Sequence, residues 1–512
     1  PQQIDLRDYL EARELLIRGD VEEAITKLTT VTQNSPKFDR AYFFLATAHL
    51  RANNYSRAQN TLETYLRKRP DDRRAQVLWD SVFGPAKTMD ETFTTARKVL
   101  SNKKSTEDAF INVARTLLVD AQNKQDDVQY REIVVQLLEN AIQKAPTKVQ
   151  PYNMLIDFCL RIDNLTEAQS VLKRAELATA DSTKLYLSQA TIALAQKEPT
   201  VAYDIALKNF QGSEHTYDEL QSWIDMLGNA QQLALAQKLL LHVSERGNFL
   251  DTGALYVAQI SLSRKFGTHD ETLALIEDMD MKISHDSGAR ETFNKERLEL
   301  ASAMIRNGSQ ADLTQAQVLI QAVEDEGAES DSCTRLRAQL CMREIPPDYS
   351  KAEELLQGLL EIEPVDMRTL LLVYQIKKSQ EQFDTALKYA QQAHDLVPRN
   401  LGARLALAEA QVLAFQLLEA NKTLESILLT DPNQTFALEL LVRVYSGTGK
   451  NNKARETLDK LIAITAKTPQ MTARIENLEA LLASQSKNWS QAEELFLAQL
   501  QSSPENLTAL RG

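Results

Sequence analysis

The sequence predicts an all-α protein in which antiparallel helix pairs stack into a right-handed superhelical solenoid of about fourteen hairpins. Aromatic residues make up only 6% of the 512 residues, with 15 Gly and 14 Pro, a composition typical of helices rich in Ala and Leu. Pro36 and Pro70 lie 34 residues apart, and the same spacing returns near the C-terminus, which indicates stacked units. Upstream of these prolines a small residue precedes a larger apolar residue by four positions, as in Ala58 and Leu62, which indicates one face of a helix.

The N-terminal block, 1–106, contains the clearest unit, at 39–72. Its marker positions are Tyr42, Leu45, Ala46, Ala58, Leu62, Tyr65 and Pro70. On these residues the segment resembles the tetratricopeptide repeat (TPR) family. The resemblance implies two helices per unit, which approach closely at the small residues Ala46 and Ala58, while larger side chains fill the remaining space. The spacing continues with fewer markers to residue 106.

The next block, 107–250, is predicted to be TPR-like, with a longer unit near 107–148 in which the polar stretch 120–127 is an insertion or part of two lengthened helices. The family's frame returns at 149–182 through Tyr152, Leu155, Ala168, Leu172 and Ala175. Two degenerate hairpins follow, and we expect Gly228–Asn229 to separate the two helices of the second.

The block 251–348 is predicted to hold divergent helical repeats with a change of curvature. Its helices are expected to be interrupted at 267–268, 286–288, 307–308, 326–332 and Pro346–Pro347. The C-terminal block, 349–512, resembles the family again. Its markers are Ala386, Ala393, Pro398, Leu407, Ala408, Ala420, Pro432, Tyr445, Ala454 and Leu458. Because 507–510 reads as the start of another hairpin and the chain begins with Pro1, we expect a piece of a longer protein.

Composition and motifs bear on the class of function. The formal net charge of -13 disfavours a nucleic acid as partner, since phosphates would be repelled. The sequence lacks an apolar stretch long enough for direct membrane insertion. The six histidines and three cysteines show no metal-ligand spacing, and Gly447–Lys450 lacks the spacing of a phosphate loop. No catalytic residue, metal or cofactor is therefore predicted, and the chain is expected not to be an enzyme.

The resemblance to TPR proteins implies a concave groove lined by the first helix of each pair, where partner proteins or peptide segments bind. Carried onto this sequence, the groove positions are Phe43, Thr47, Arg51, Asn112, Arg115, Asn153, Asp157, Arg161, Arg368, Gln375, Glu409, Phe436 and Arg443. The family's clamp for a peptide carboxylate needs cations on successive helices. Only Asn112 fits it, because Gln150 and Met154 stand where cations belong.

Two functions stay open at this stage. The first is a non-catalytic scaffold for a bacterial envelope, secretion or exopolysaccharide assembly, by analogy of fold. The second is the recognition arm of a larger enzyme, such as a glycosyltransferase, with its catalytic domain outside this chain. Self-association through open solenoid ends is compatible with either. The sequence does not distinguish bacterial periplasm from cytoplasm, and it names no partner.

Overall fold

The chain is all-α in the part that the structure, a computed structural model, describes. That part comprises residues 3–18, 21–52, 54–70, 72–84, 89–102, 104–120, 128–179, 182–211, 217–246, 252–283, 288–327, 330–361, 365–465, 468–486 and 488–502. Within these ranges there is no strand. Packing divides the chain into unit 1, residues 1–79, 99–112 and 135–369, and unit 2, residues 80–98, 113–134 and 370–512. The block boundaries expected from the sequence stay a prediction.

The described helices form fourteen consecutive pairs, in agreement with the predicted number. We call the first helix of each pair the A helix and the second the B helix. The first seven pairs are α1 Gln3–Arg18 and α2 Val21–Asn34; α3 Asp39–Arg51 and α4 Tyr55–Lys68; α5 Arg73–Val82 and α6 Met89–Ser101; α7 Glu107–Asp120 and α8 Val128–Lys144; α9 Val149–Arg161 and α10 Leu165–Ala178; α11 Tyr186–Ala195 and α12 Pro199–Asn209; α13 Tyr217–Asn229 and α14 Leu233–Arg246. The other seven are α15 Thr252–Phe266 and α16 His269–Asp280; α17 Gly288–Asn307 and α18 Gln310–Asp325; α19 Ser330–Arg343 and α20 Tyr349–Glu361; α21 Met367–Ser379 and α22 Phe383–Leu396; α23 Leu401–Leu413 and α24 Leu417–Thr430; α25 Thr435–Gly447 and α26 Asn451–Ile464; α27 Pro469–Gln485 and α28 Trp489–Ser502.

Stacking within each unit follows the pattern of a solenoid. Within a unit, the two helices of one pair are in contact, for example α17 with α18 of unit 1 and α25 with α26 of unit 2. The A helices of successive pairs are also in contact, α13 through α19 in unit 1 and α23 through α27 in unit 2. These pairs therefore bury their apolar faces against their neighbours.

The small-residue seam predicted from the sequence lies where the helices cross. Ala46, Ala58 and Leu62 are 0% exposed in unit 1, and so are Ala420 and Leu424 in unit 2. Short side chains at these crossings let the helix axes approach, and the leucines fill the space beside them. The seam is thus confirmed as the core of the repeats.

The prolines terminate B helices as predicted. Helix α4 ends at Lys68, before Pro70, and α24 ends at Thr430, before Pro432. A proline ring disfavours the helical conformation of the residue in front of it. Two other predicted features lie outside the described residues: most of the polar stretch, from 121 to 127, and the segment 507–510.

In six of the turns between A and B helices, one residue lies in the left-handed region at a fixed repeat position. These residues, with their φ angles, are Asp163 (55°), Lys197 (64°), Gln231 (59°), Glu381 (59°), Phe415 (58°) and Gly449 (72°). They fall in two series with a spacing of 34 residues. A residue with a Cβ atom pays about 1–2 kcal/mol in this conformation, and glycine does not.

The turn expected at Gly228–Asn229 was placed wrongly. Helix α13 runs through Asn229, and the left-handed turn residue is Gln231. Gly228 serves close packing instead, because a Cβ atom there would overlap the ring of Phe266 on α15. The glycine therefore marks a contact between neighbouring A helices, not the end of a helix.

The divergent segment 251–348 consists of regular helix pairs, and the interruptions predicted there fall at or between helix ends. Its core contains a cluster of charges that joins α16, α17 and α18. Arg290 and Arg297, only 5% and 3% exposed, pair with Asp280 at 2.7 and 2.6 Å. Glu326 accepts hydrogen bonds from Arg290 and Arg297, both at 2.9 Å, and from Asn294 at 2.9 Å. The two positive charges are thus balanced by two carboxylates.

We expect this cluster to make stability depend on pH in the acid range. Burial alone raises the pKa of Glu326, but the hydrogen bonds from Arg290, Asn294 and Arg297 outweigh it and lower the pKa from 4.5 to about 2. Stabilisation from a depressed pKa is complete above the unfolded-state value and is lost as the pH falls toward the folded-state value. Urea unfolding at several pH values should show the gap between wild type and Glu326→Gln shrinking from pH 4.5 toward pH 2. A gap that stays constant over this window would contradict the assignment.

Candidate A-helix binding surface

The N-terminal part of the predicted groove lies on α3, in unit 1. Phe43 and Thr47 are half-buried and Arg51 is exposed. The Phe43 ring lies 5.7 Å from the ring of Phe44 and 5.6 Å from that of Tyr65. Thr47 donates a hydrogen bond to the Phe43 carbonyl at 2.9 Å, and the Arg51 guanidinium donates to the carbonyl of Leu16 on α1. Arg51 therefore ties two A helices together as well as facing solvent.

The second group lies on α9, also in unit 1. Asn153 is hydrogen-bonded to two neighbouring residues. Its Oδ1 atom accepts from the Ser188 hydroxyl at 2.9 Å, and its Nδ2 atom donates to the Lys184 carbonyl at 3.4 Å. Asp157 and Arg161, one helical turn apart, are both exposed. Surrounding protein desolvates the Asp157 carboxylate and raises its pKa, while the charge of Arg161 acts in the opposite direction. A carboxylate that solvent reaches but protein atoms surround is typical of a recessed surface.

Three further predicted residues do not join these groups. Asn112 is half-buried on α7 in unit 1, and Arg115 is exposed on the same helix in the part that belongs to unit 2. In unit 1, the Arg368 Nε atom donates to Asp366 at 3.1 Å, and the same carboxylate forms a 3.5 Å ion pair with Arg335. Arg368 therefore supports the start of α21.

The remaining predicted residues follow A helices of unit 2. Glu409 on α23 accepts a hydrogen bond from the Tyr374 hydroxyl at 2.5 Å and from Lys378 at 3.0 Å, both on α21. Burial of Tyr374, followed by the charge of Glu409, raises the pKa of that hydroxyl. Arg443 on α25 pairs with Glu439 at 3.3 Å. Glu409 and Arg443 thus take part in the stacking of A helices or in pairs along one of them.

Two predicted residues of unit 2, Gln375 and Phe436, make no such hydrogen bond or ion pair among the described residues. Gln375 is exposed on α21. Phe436 is half-buried on α25 and packs against the buried residues of that region. Like the exposed pair Asp157 and Arg161 on α9, these two residues have accessible side-chain surface that a ligand can cover.

Polar contacts between successive A helices recur at a spacing of 35 residues. Four contacts join residues 35 apart: Leu16 with Arg51, Asn153 with Ser188, Thr191 with Met226, and Tyr374 with Glu409. One repeat is 34 residues, so a spacing of 35 connects positions on facing edges of successive A helices. Polar residues that recur at this spacing are the signal that separates stacking contacts from ligand contacts.

Cys159 is a buried thiol, 1% exposed. Burial raises the pKa of the Cys159 thiol to about 11, so this cysteine stays protonated at neutral pH. No cluster of three His, Cys, Asp or Glu with the spacing of a metal site occurs in the part of the chain that the structure describes. Over the same residues, every helix is too short or too polar to cross a bilayer.

Comparison with known structures gives similar helical-repeat proteins at low identity. Yeast Tom70 is 12% identical, with 94% of this chain and 96% of that chain covered and a TM-score of 0.41. The APC/C hetero-tetramer Cut9–Hcn1 is 11% identical over 99% and 96%, with a TM-score of 0.40. The human IFIT1 dimer with m7Gppp-AAAA is 15% identical over 73% and 82%, with a TM-score of 0.39. Likeness at this level says nothing about what the chain binds.

Sequence comparison identifies the repeats themselves. No curated protein matches the chain. The tetratricopeptide-repeat family matches residues 15–78 and 378–437, the first in unit 1 and the second in unit 2. Both segments contain A–B helix pairs with the small buried seam described above. These two segments of the chain are therefore identified as tetratricopeptide repeats.

Proposed function

We propose that the chain is a non-catalytic scaffold that holds partner proteins or peptide segments along the exposed surface of its A helices. The observation that carries the proposal is the exposed pair Asp157 and Arg161 on α9. In the described part of the chain these side chains interact only with each other's charge, so they remain available to a partner. A bacterial envelope, secretion or exopolysaccharide assembly is the proposed setting, and it rests on analogy of fold alone.

The structure changes which variants test this proposal. Arg51, Asn153, Glu409 and Arg443 contact neighbouring helices or side chains, so a loss of binding on their substitution would mix recognition with stability. Arg161 is exposed and makes no such contact in the described residues. It is therefore the cleaner position.

We expect Arg161→Glu to lower the recovery of bound partners about fivefold or more, because it reverses a charge that faces the ligand. The matched control is Lys173→Glu, which makes the same change of charge at an exposed position on α10 of the same pair. The tagged chain would be purified from the cells that produce it, and the bound proteins quantified by mass spectrometry. An equal loss in both variants, or no loss in either, would contradict binding at α9.

A further inference from the structure

An exposed apolar pair on unit 2 is not explained by the repeat fold. Phe415 occupies the left-handed turn position between α23 and α24 with φ 58° and is 85% exposed. The equivalent residues in the other turns are polar or glycine, so the turn itself does not require an aromatic side chain. Leu418, three residues on, is 67% exposed. The intervening Leu417 packs instead next to Gly447, at the end of α25.

A pocket lies at the next A–B turns of unit 2. It has a volume of about 230 Å³ and is formed by the start of α26, the end of α27 and the start of α28. Carboxamides from Asn451, Asn452 and Gln491 line it together with the opposite charges of Arg455 and Glu479. The Asn451 Oδ1 atom is buried and has no hydrogen-bond partner among the described residues. Such an acceptor is satisfied when a ligand donates to it.

A second exposed aromatic residue is the sequence neighbour of a residue that lines this pocket. Trp489 is 65% exposed and follows Asn488, which lines the pocket. Because α23, α25 and α27 contact in succession, Phe415 and Trp489 lie about two helix spacings apart, or roughly 16–20 Å. An extended peptide covers that distance with about five or six residues.

We propose that this edge of unit 2 binds an extended, uncharged peptide segment of a partner protein, with apolar side chains placed against Phe415 and Trp489. Carboxamides donate and accept hydrogen bonds, which matches the alternating N–H and C=O groups of an extended backbone. Arg455 already pairs with Asp459 at 3.3 Å, so an anionic ligand gains no net attraction from the lining charges. This edge surface is separate from the A-helix surface, and the two sites can be tested independently.

The test uses a phage-displayed library of random twelve-residue peptides selected on the immobilised wild-type chain. We expect enriched peptides that carry no net charge and have two apolar residues about five positions apart. Their affinity, measured by titration calorimetry, should fall about tenfold or more in Phe415→Gly and in Trp489→Ala. Leu429→Ala, at an exposed leucine near the opposite end of α24, and Arg443→Ala on the A-helix surface should leave it unchanged.

Three outcomes would overturn the proposal. The first is a set of enriched peptides that bind Phe415→Gly and Trp489→Ala as tightly as the wild type. The second is a change of oligomeric state in Phe415→Gly by analytical ultracentrifugation, which would identify the occupant as a second copy of this chain. The third is a lower thermal midpoint for Phe415→Gly. Glycine suits the left-handed turn, so the proposal requires this variant to be at least as stable as the wild type.

Discussion

Replacing Glu326 with alanine should lower the free energy of unfolding by about 3–5 kcal/mol. Arg290 and Arg297 are almost fully buried and both donate to this carboxylate. Without it, two guanidinium groups share the single carboxylate of Asp280, and one buried positive charge is left uncompensated. Urea unfolding followed by circular dichroism measures the loss.

The control for this prediction is Glu324→Ala, two residues earlier, in the last turn of α18. Glu324 also pairs with an arginine, Arg337, but both side chains are 26% exposed. Partly exposed ion pairs contribute at most about 1 kcal/mol. Equal losses in the two variants would show that the burial of the cluster adds nothing, which would contradict the argument.

The repeat architecture was predictable because a single physical requirement recurs in every pair. Two helices that cross closely need small residues at the crossing, as at Ala58 and Ala420, and the chain must then turn back, as at Pro70 and Pro432. Both requirements produce residue types that recur in the sequence at a spacing of 34 residues, and this recurrence predicts the fourteen helix pairs. The buried cluster around Glu326 leaves no such mark, because it occurs once and its partners come from three helices.

The candidate binding surface was predictable only as a face of the A helices. Sequence position places both Arg51 and Asp157 on that face. Arg51, however, donates a hydrogen bond to a neighbouring helix, whereas the Asp157 side chain makes no such contact among the described residues. This difference depends on the offset between stacked A helices, which a repeat spacing alone does not supply. Phe415 was missed for another reason. An aromatic residue beside apolar neighbours reads as core, and only the φ angle of 58° and its exposure show otherwise.

Gly308→Ala should lower the free energy of unfolding by about 2–4 kcal/mol. A Cβ atom at this position would overlap the carbonyl oxygen of Met304 and lie 2.5 Å from the Cβ atom of Asp312. Asp312 closes the capping box at the start of α18 with Ser309, so relief of the overlap also disturbs that cap. The control is Gly358→Ala, at an exposed position of α20, where a Cβ atom would meet nothing within 4 Å. It should raise stability by roughly 0.5–1 kcal/mol.

The effect of Gly308→Ala should also be local, because a hairpin in a stacked array contacts only its neighbours. The turn at Gly308 joins α17 to α18, and Arg343 of α19 donates to its carbonyl at 3.3 Å, so three consecutive helices share the damage. Hydrogen exchange should therefore speed up in α17, α18 and α19 well before it does in α1 to α4. Uniform acceleration over the whole chain would mean that the array unfolds as one cooperative body and that the nearest-neighbour description is wrong for this protein.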